Sequence, residues 1–336
     1  MSIKFSIIGC GHIGTRHAQR ILENPNAKLI GVFDIDAEKA ESLAASCSVN
    51  SYTDLNTFLN ADVDVICVCT PSGLHKEHAI MCLNAGRNVL VEKPMALSSF
   101  DCKEMLNSAT QNEKELFVVK QNRYNPPVQK MKEAIQSGVL GNVLQVSVNC
   151  FWNRNEEYYK QSEWKGTRQL DGGVLFNQFS HFIDIMYYFF GAIVNPVGKI
   201  SNLMHQGITE FEDSGSFVFE FENGGFGSLN FTTNSHNKNM EGSITIFAEK
   251  GTVKIGGKYL NAIEYFNASE FTIEDLPVSA PANDYGFYEG SMSNHDKVIE
   301  NVINTLNGTE QIMTTASDGL AVVNTIEQLY NSAKTI

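Results

Sequence analysis

Three glycines, Gly9, Gly11 and Gly14, stand between an apolar run, Ile3–Ile8, and an amphipathic segment, Ile13–Leu22. No other feature constrains the chain as much, because this spacing suits a strand that turns sharply into a helix. The first glycine permits the tight turn, the second lets another group approach the backbone, and the third lets the helix pack close on the strand. The same rhythm continues through the first 120 residues or so. Lys28–Phe33 reads as a strand, Ala37 to Ser46 as a helix, and Val63–Cys69 as a nearly continuous apolar run. Such a run is expected of a parallel strand covered on both faces. Leu74–Ala85, Asn88–Val91, Ser98–Asn112 and Leu116–Val119 extend the alternation. It predicts a Rossmann-type, doubly wound parallel sheet over residues 1–121.

After Asn122-Arg123-Tyr124 the pattern changes. A helix about Pro127–Ser137 precedes a strand, Val143–Phe151, and a polar, aromatic loop leads to one long apolar helix, about Val174–Phe190. Ser216–Glu222, Gly227–Thr233, Ser243–Ala248 and Thr252–Ile255 then alternate apolar and polar residues, with turns at Asn223-Gly224-Gly225 and Lys250-Gly251. These are hairpin signals. Two helices, near Ser293–Leu306 and Thr315–Ala333, close the chain. The expectation is an α/β protein whose second domain, 122–336, is α+β with a mainly antiparallel sheet. A length of 336 residues, more than one core normally serves, agrees with two domains.

With 25 basic and 38 acidic residues the net charge is −13, which disfavours nucleic acid and anionic membrane surfaces as partners. No run of about 18 apolar residues occurs, so no membrane span is expected. The first residues lack the apolar length and cleavage site of a signal peptide, and the expected location is the cytoplasm. Seven cysteines without a C-x-x-C pair read as buried thiols, and no metal is expected.

A glycine turn opening a helix offers backbone N–H groups to an anion. Asp34 stands 20 residues beyond Gly14, at the end of the next strand. There a carboxylate can accept from both ribose hydroxyls and repel a 2′-phosphate, so the expected cofactor is NAD rather than NADP. Gly9, Gly11, His12, Ile13, Gly14 and Asp34 are its candidate contacts. Lys93 follows the strand Asn88–Val91, at the carboxyl edge where open α/β sheets bind ligands. Its ammonium can polarise a carbonyl, stabilise an alkoxide or shuttle a proton, or it can simply pair with Glu92. His181 lies in an apolar helix with Asn177 four residues before it and Asp184 three after. At helical spacing the three share a face.

Beyond the glycine turn, Cys69-Thr70-Pro71-Ser72-Gly73-Leu74-His75, Glu92-Lys93-Pro94, and Gly172-Gly173 followed by His181 and Asp184 occur in an order that resembles the glucose-fructose oxidoreductase/inositol dehydrogenase (Gfo/Idh/MocA) family. The resemblance spans essentially the whole chain. It implies an NAD-dependent oxidoreductase that moves hydride between a sugar carbinol and the nicotinamide, with Thr70, Pro71, His75, Glu92 and Lys93 beside the cofactor. It also implies that Lys93 and His181 manage the hydroxyl proton, with Asn177 where many members carry an Asp. An asparagine cannot raise the imidazole pKa by its charge, so which of the two groups takes the proton stays open. Asn177, Trp164-Lys165-Gly166 and Leu170-Asp171-Gly172-Gly173 resemble the bacterial nucleotide-sugar 3-dehydrogenases, which act on UDP-N-acetylglucosamine or its uronic acid. On that resemblance Arg123, Tyr124, Trp164, Lys165, Arg168, Asn177, His181 and Asp184 are candidate substrate contacts. Trp152, Arg154, Tyr158, Tyr159 and Lys160 extend the stretch as rings and cations for a charged sugar. Two alternatives stand beside this reading: an inositol or free-sugar dehydrogenase or 3-ketoreductase, and a non-catalytic NAD-binding regulator. A homodimer or homotetramer is also implied.

Overall fold

In the computed structural model, which describes residues 2–269, 271–273, 276–279, 281–284 and 289–335, the chain forms two compact units. One is Met1–Lys120 with His295–Val323, and the other is Gln121–Asn294 with Asn324–Ile336. The sequence reading placed all of 122–336 in the second domain, whereas residues 295–323 return to the first. The helix His295–Leu306 buries Val298, Ile299, Val302 and Ile303 and packs on the helix His12–Glu23. Periodicity reveals such an apolar face but not which partner will cover it.

The first unit holds a parallel sheet of β1 (Ile3–Ile8), β2 (Ala27–Phe33), β3 (Asn50–Tyr52), β4 (Val65–Val68), β5 (Asn88–Val91) and β6 (Leu116–Val118), in the order β3-β2-β1-β4-β5-β6. This is the doubly wound order, with its reversal between β1 and β4. All four residues of β4 are fully buried, as its unbroken apolar sequence requires. Ile8, Val68 and Val91 are register neighbours, so the loops after β1, β4 and β5 leave the sheet side by side. Helices begin where caps allow: Asp36 accepts the N–H groups of Glu38 and Lys39, and Ser98 that of Asp101.

The second unit holds β7 (Val143–Phe151), β8 (Ile193–Ser201), β9 (Ser214–Phe221), β10 (Phe226–Thr232), β11 (Glu241–Ala248), β12 (Gly251–Gly256) and β13 (Ala262–Ala268). A short hairpin, β14 (Ala282–Asp284) with β15 (Glu289–Met292), and a last strand, β16 (Ala333–Thr335), complete it. The eight-stranded order is β13-β12-β11-β7-β10-β9-β8-β16, antiparallel except at β7–β10 and β8–β16. Alternation sets its buried face: Phe217, Phe219 and Phe221 point in while Val218 points out. Among the described residues no helix is long and apolar enough to cross a membrane.

The predicted single helix Val174–Phe190 is two helices, Val174–Asn177 and Ser180–Phe190. At the break the Phe179 N–H reaches back five residues to the Val174 carbonyl, at 2.9 Å. The ring of Phe179 then packs against Trp152, Phe182 and Phe231, a tertiary gain that helical periodicity does not show.

Gly173 opens the shorter helix at φ +132°, and a Cβ there would lie 2.4 Å from the Tyr330 hydroxyl. That hydroxyl donates to Glu212 Oε1 at 2.5 Å. Burial pushes the Glu212 carboxyl up to about 7, against the opposing bond from Tyr330. Below pH 4.5, the ordinary value, the group is protonated folded and unfolded alike, and stability is intact. As pH rises through 7 the folded chain gives up the proton only at a cost, so stability falls, by at most about 3 kcal/mol. Glu212→Gln should therefore raise the melting temperature relative to the parent more at pH 8 than at pH 5. Equal differences at the two pH values would contradict the assignment.

Candidate active site

The loops after β1, β4 and β5 form the candidate cofactor site of the first unit. A Cβ on Gly14 would sit 1.9 Å from the Gly9 carbonyl oxygen, so only glycine lets this helix start here. A Cβ on Gly11 would meet nothing within 4 Å, which leaves its face open to a ligand. Asp34 Oδ2 accepts the Cys10 N–H at 2.8 Å and Oδ1 accepts the Asp36 N–H at 2.9 Å. Each carboxylate oxygen keeps a second lone pair for a ribose hydroxyl. The open glycine face, the helix start and the oriented acid together fit a dinucleotide. His12 is exposed and Ile13 half-buried beside that face.

The turns after β4 and β5 are tied to each other. His75 is buried, with Nδ1 2.7 Å from the Pro94 carbonyl oxygen and Nε2 2.9 Å from that of Thr70. His75 thus braces the two turns against each other. Thr70 Oγ1 lies 3.0 Å from His78 Nδ1, and Thr70, Pro71 and Lys93 are half-buried at the loop surface. Lys93–Pro94 is a cis peptide. The Glu92 carboxylate is buried, with Oε1 2.8 Å from His17 Nε2 and 3.6 Å from His295 Nε2. Burial alone would push this carboxyl up, but the two imidazoles outweigh it and hold it well below the usual range. His17, Glu92 and His295 are the one group among the described residues whose ligand atoms lie close enough to hold a metal, all within 4.8 Å. Sequence reasoning missed both histidines. Their only trace is a polar residue on each of two apolar helix faces.

In the second unit, Asp171 is fully buried. Its Oδ2 accepts the Gly166 N–H at 2.8 Å, and its Oδ1 accepts from the Asn177 side chain in a very short bond. Asn177 is thus a donor to the Asp171 carboxylate. Asn177 ends the shorter helix, and the break at Gln178 and Phe179 separates it from His181. His181 is buried at the start of Ser180–Phe190.

Arg123 and Asp184 were expected to contact substrate. They form a buried bidentate pair, Nε–Oδ2 3.0 Å and Nη2–Oδ1 2.7 Å, under the Tyr188 ring. Both charges are matched at 1% exposure, which makes the pair an internal brace. Trp152, Arg154, Tyr158 and Tyr159 are likewise buried, with Trp152 packed against Phe179, Phe182 and Tyr259. Ring size there serves the core. Lys160 and Arg168 are exposed, and Tyr124, Trp164 and Lys165 are half-buried. Lys165 Nζ lies 4.1 Å from the centre of the Tyr158 ring and donates to Gln161 Oε1 at 2.7 Å. Burial brings its ammonium down to about 8, opposed by Asp171 and aided by Arg154.

Residues 3–120 match the family described as oxidoreductase, NAD-binding Rossmann fold, and residues 128–254 match the GFO/IDH/MocA C-terminal domain. An oxidoreductase of Streptococcus pneumoniae is 30% identical over 81% of this chain and 76% of its own length. The crystal structure of the WlbA dehydrogenase from Bordetella pertussis, in complex with NADH and UDP-GlcNAcA, is similar over 99% of this chain and 96% of its own, with TM-score 0.89 and 33% identity. The Chromobacterium violaceum WlbA structure with the same ligands gives 98%, 93%, 0.89 and 34%. Matched in both units, with an open glycine turn and an oriented acid in the first, this chain belongs to the Gfo/Idh/MocA family of oxidoreductases and binds NAD.

Proposed function

We propose that the protein is an NAD-dependent dehydrogenase that oxidises a ring hydroxyl, at position 3, of a UDP-N-acetylhexosamine or its uronic acid. The observation that carries this reading is likeness over 98–99% of the chain, at 33–34% identity, to two dehydrogenases crystallised with NADH and UDP-GlcNAcA. Bound NAD would accept the hydride from the carbinol carbon. Lys93, fixed at the end of β5, would stabilise the developing alkoxide and lead its proton away. His181 would be the other proton acceptor. Lys165 would meet the diphosphate or uronate, because an ammonium already stripped of part of its water gains more from an anion than a fully solvated one.

A homo-oligomer is part of the proposal. Val197, Val218 and Tyr265 are exposed on one register row of the second sheet, and Phe226 and Phe247 on the next. Exposed apolar side chains grouped on one sheet face, here interleaved with Ser228, Ser147, Thr245 and Lys254, are ordinarily covered by another surface. NAD and a sugar nucleotide are both required, in keeping with the cytoplasmic expectation.

The test is a panel of UDP-sugars, sugar phosphates, free sugars and inositol with NAD, read by absorbance of the reduced nicotinamide. Turnover should be greatest with UDP-N-acetylglucosamine or its uronic acid, and Lys165→Met should raise KM for these about 10-fold without affecting free sugars. Turnover confined to inositol or free sugars would replace the substrate, and no turnover at all would favour the regulator.

Asn177→Asp examines the Asp171 contact. It places a second, half-buried carboxyl against the buried Asp171, and such a pair keeps one proton to a pH above the ordinary carboxyl range. The folded-state pKa is then raised above the unfolded one, so stability is intact in acid and lost as pH rises. The variant should melt below the parent by a margin that is larger at pH 8 than at pH 5. A margin independent of pH would mean that the two side chains do not share a proton.

A further inference from the structure

We propose that His17 and His295 are positioning residues for Lys93, acting through the Glu92 carboxylate. The proposal rests on the catalytic reading of Lys93 given above. Glu92 is 5% exposed, and an unpaired carboxylate so buried costs several kcal/mol. Its two oxygens do different work. Oε1 faces His17 Nε2 at 2.8 Å and His295 Nε2 at 3.6 Å, while Oε2 accepts the backbone N–H of Lys93 at 3.1 Å. The imidazoles set the rotation of the carboxylate, and the carboxylate sets the Lys93 backbone. One residue further on, the Pro94 carbonyl is held by His75 at 2.7 Å. The Lys93 backbone is thus gripped on both sides.

The grip draws on three helices of the first unit. His17 belongs to His12–Glu23, His75 opens His75–Asn84, and His295 opens His295–Leu306. The rings of His17 and His295 meet edge to face, with centroids 5.3 Å apart and planes at 86°, which holds the two imidazoles in one arrangement. A metal ion suits the cluster less well. The His17–Glu92 separation is that of a hydrogen bond, whereas two donors on one tetrahedral zinc, at bonds of about 2.0–2.1 Å, stand about 3.3 Å apart.

The test compares His295→Asn, whose amide is too short to reach Glu92, with His295→Gln, which carries an N–H to the Nε2 position. The pair His17→Asn and His17→Gln repeats the comparison should either His295 variant fail to fold. With the panel's best substrate, each Asn variant should lose about 10-fold in kcat at little-changed KM, and each Gln variant should recover most of it. Placed on Lys93→Met, the Asn change should cost nothing further, because the group it positions is gone. An equal loss in both backgrounds would make the histidines merely structural and overturn the proposal. So would stoichiometric zinc in the purified protein whose chelation abolishes turnover. Parental turnover in Lys93→Met sinks the catalytic reading of Lys93 itself. Parental turnover in the Asn variants beside an inactive Lys93→Met sinks the positioning alone.

Discussion

The first unit is organised by a contact that no side chain could survive. Gly14 lies so close to the Gly9 carbonyl that a single added carbon would sit 1.9 Å from the oxygen. This approach lets the helix His12–Glu23 begin at the tip of β1, with its free N–H groups at the strand's carboxyl edge. The same placement carries His17 down the helix to the end of β5, where it meets Glu92. Cofactor turn and lysine turn are therefore coupled through one short helix. A larger residue at 14 would displace both.

The second unit solves a different problem, that of positioning polar groups in an aromatic core. Trp152, Phe179, Phe182 and Tyr259 pack together, and the helix breaks to seat Phe179 among them. Two buried carboxylates of the unit are matched within it. Arg123 closes on Asp184, and Asp171 takes the Gly166 N–H and the Asn177 amide. A carboxylate at Asp171 asks its neighbour for a donor, which gives the asparagine at 177 a local cause.

Much of the first unit was legible because each residue there obeys a short-range rule. An apolar run buried on both faces, a glycine where a Cβ would clash, and a carboxylate one strand away from the turn leave marks at fixed spacing. β1, β5 and β7 lie where periodicity put them. Small elements such as β3, β13 and β16 escaped, since each is held by its neighbour in the sheet more than by its own composition. The polar and aromatic residues of the second unit were the least legible. Arginine, aspartate, tryptophan and tyrosine are the residues of ligand sites and equally of buried braces, and their composition does not tell the two apart.

By itself, then, the sequence determined the two fold classes, the glycine turn with its acid, the location of Lys93 at a strand end, and the family. All of these follow from local sterics and from motifs a few residues long. Tertiary structure alone decided that residues 295–323 rejoin the first unit, that Glu92 is shared by two histidines 278 residues apart, and that Asn177 answers to Asp171. Those pairings depend on which surfaces meet after the chain has folded, and a buried charge records its partner only in three dimensions.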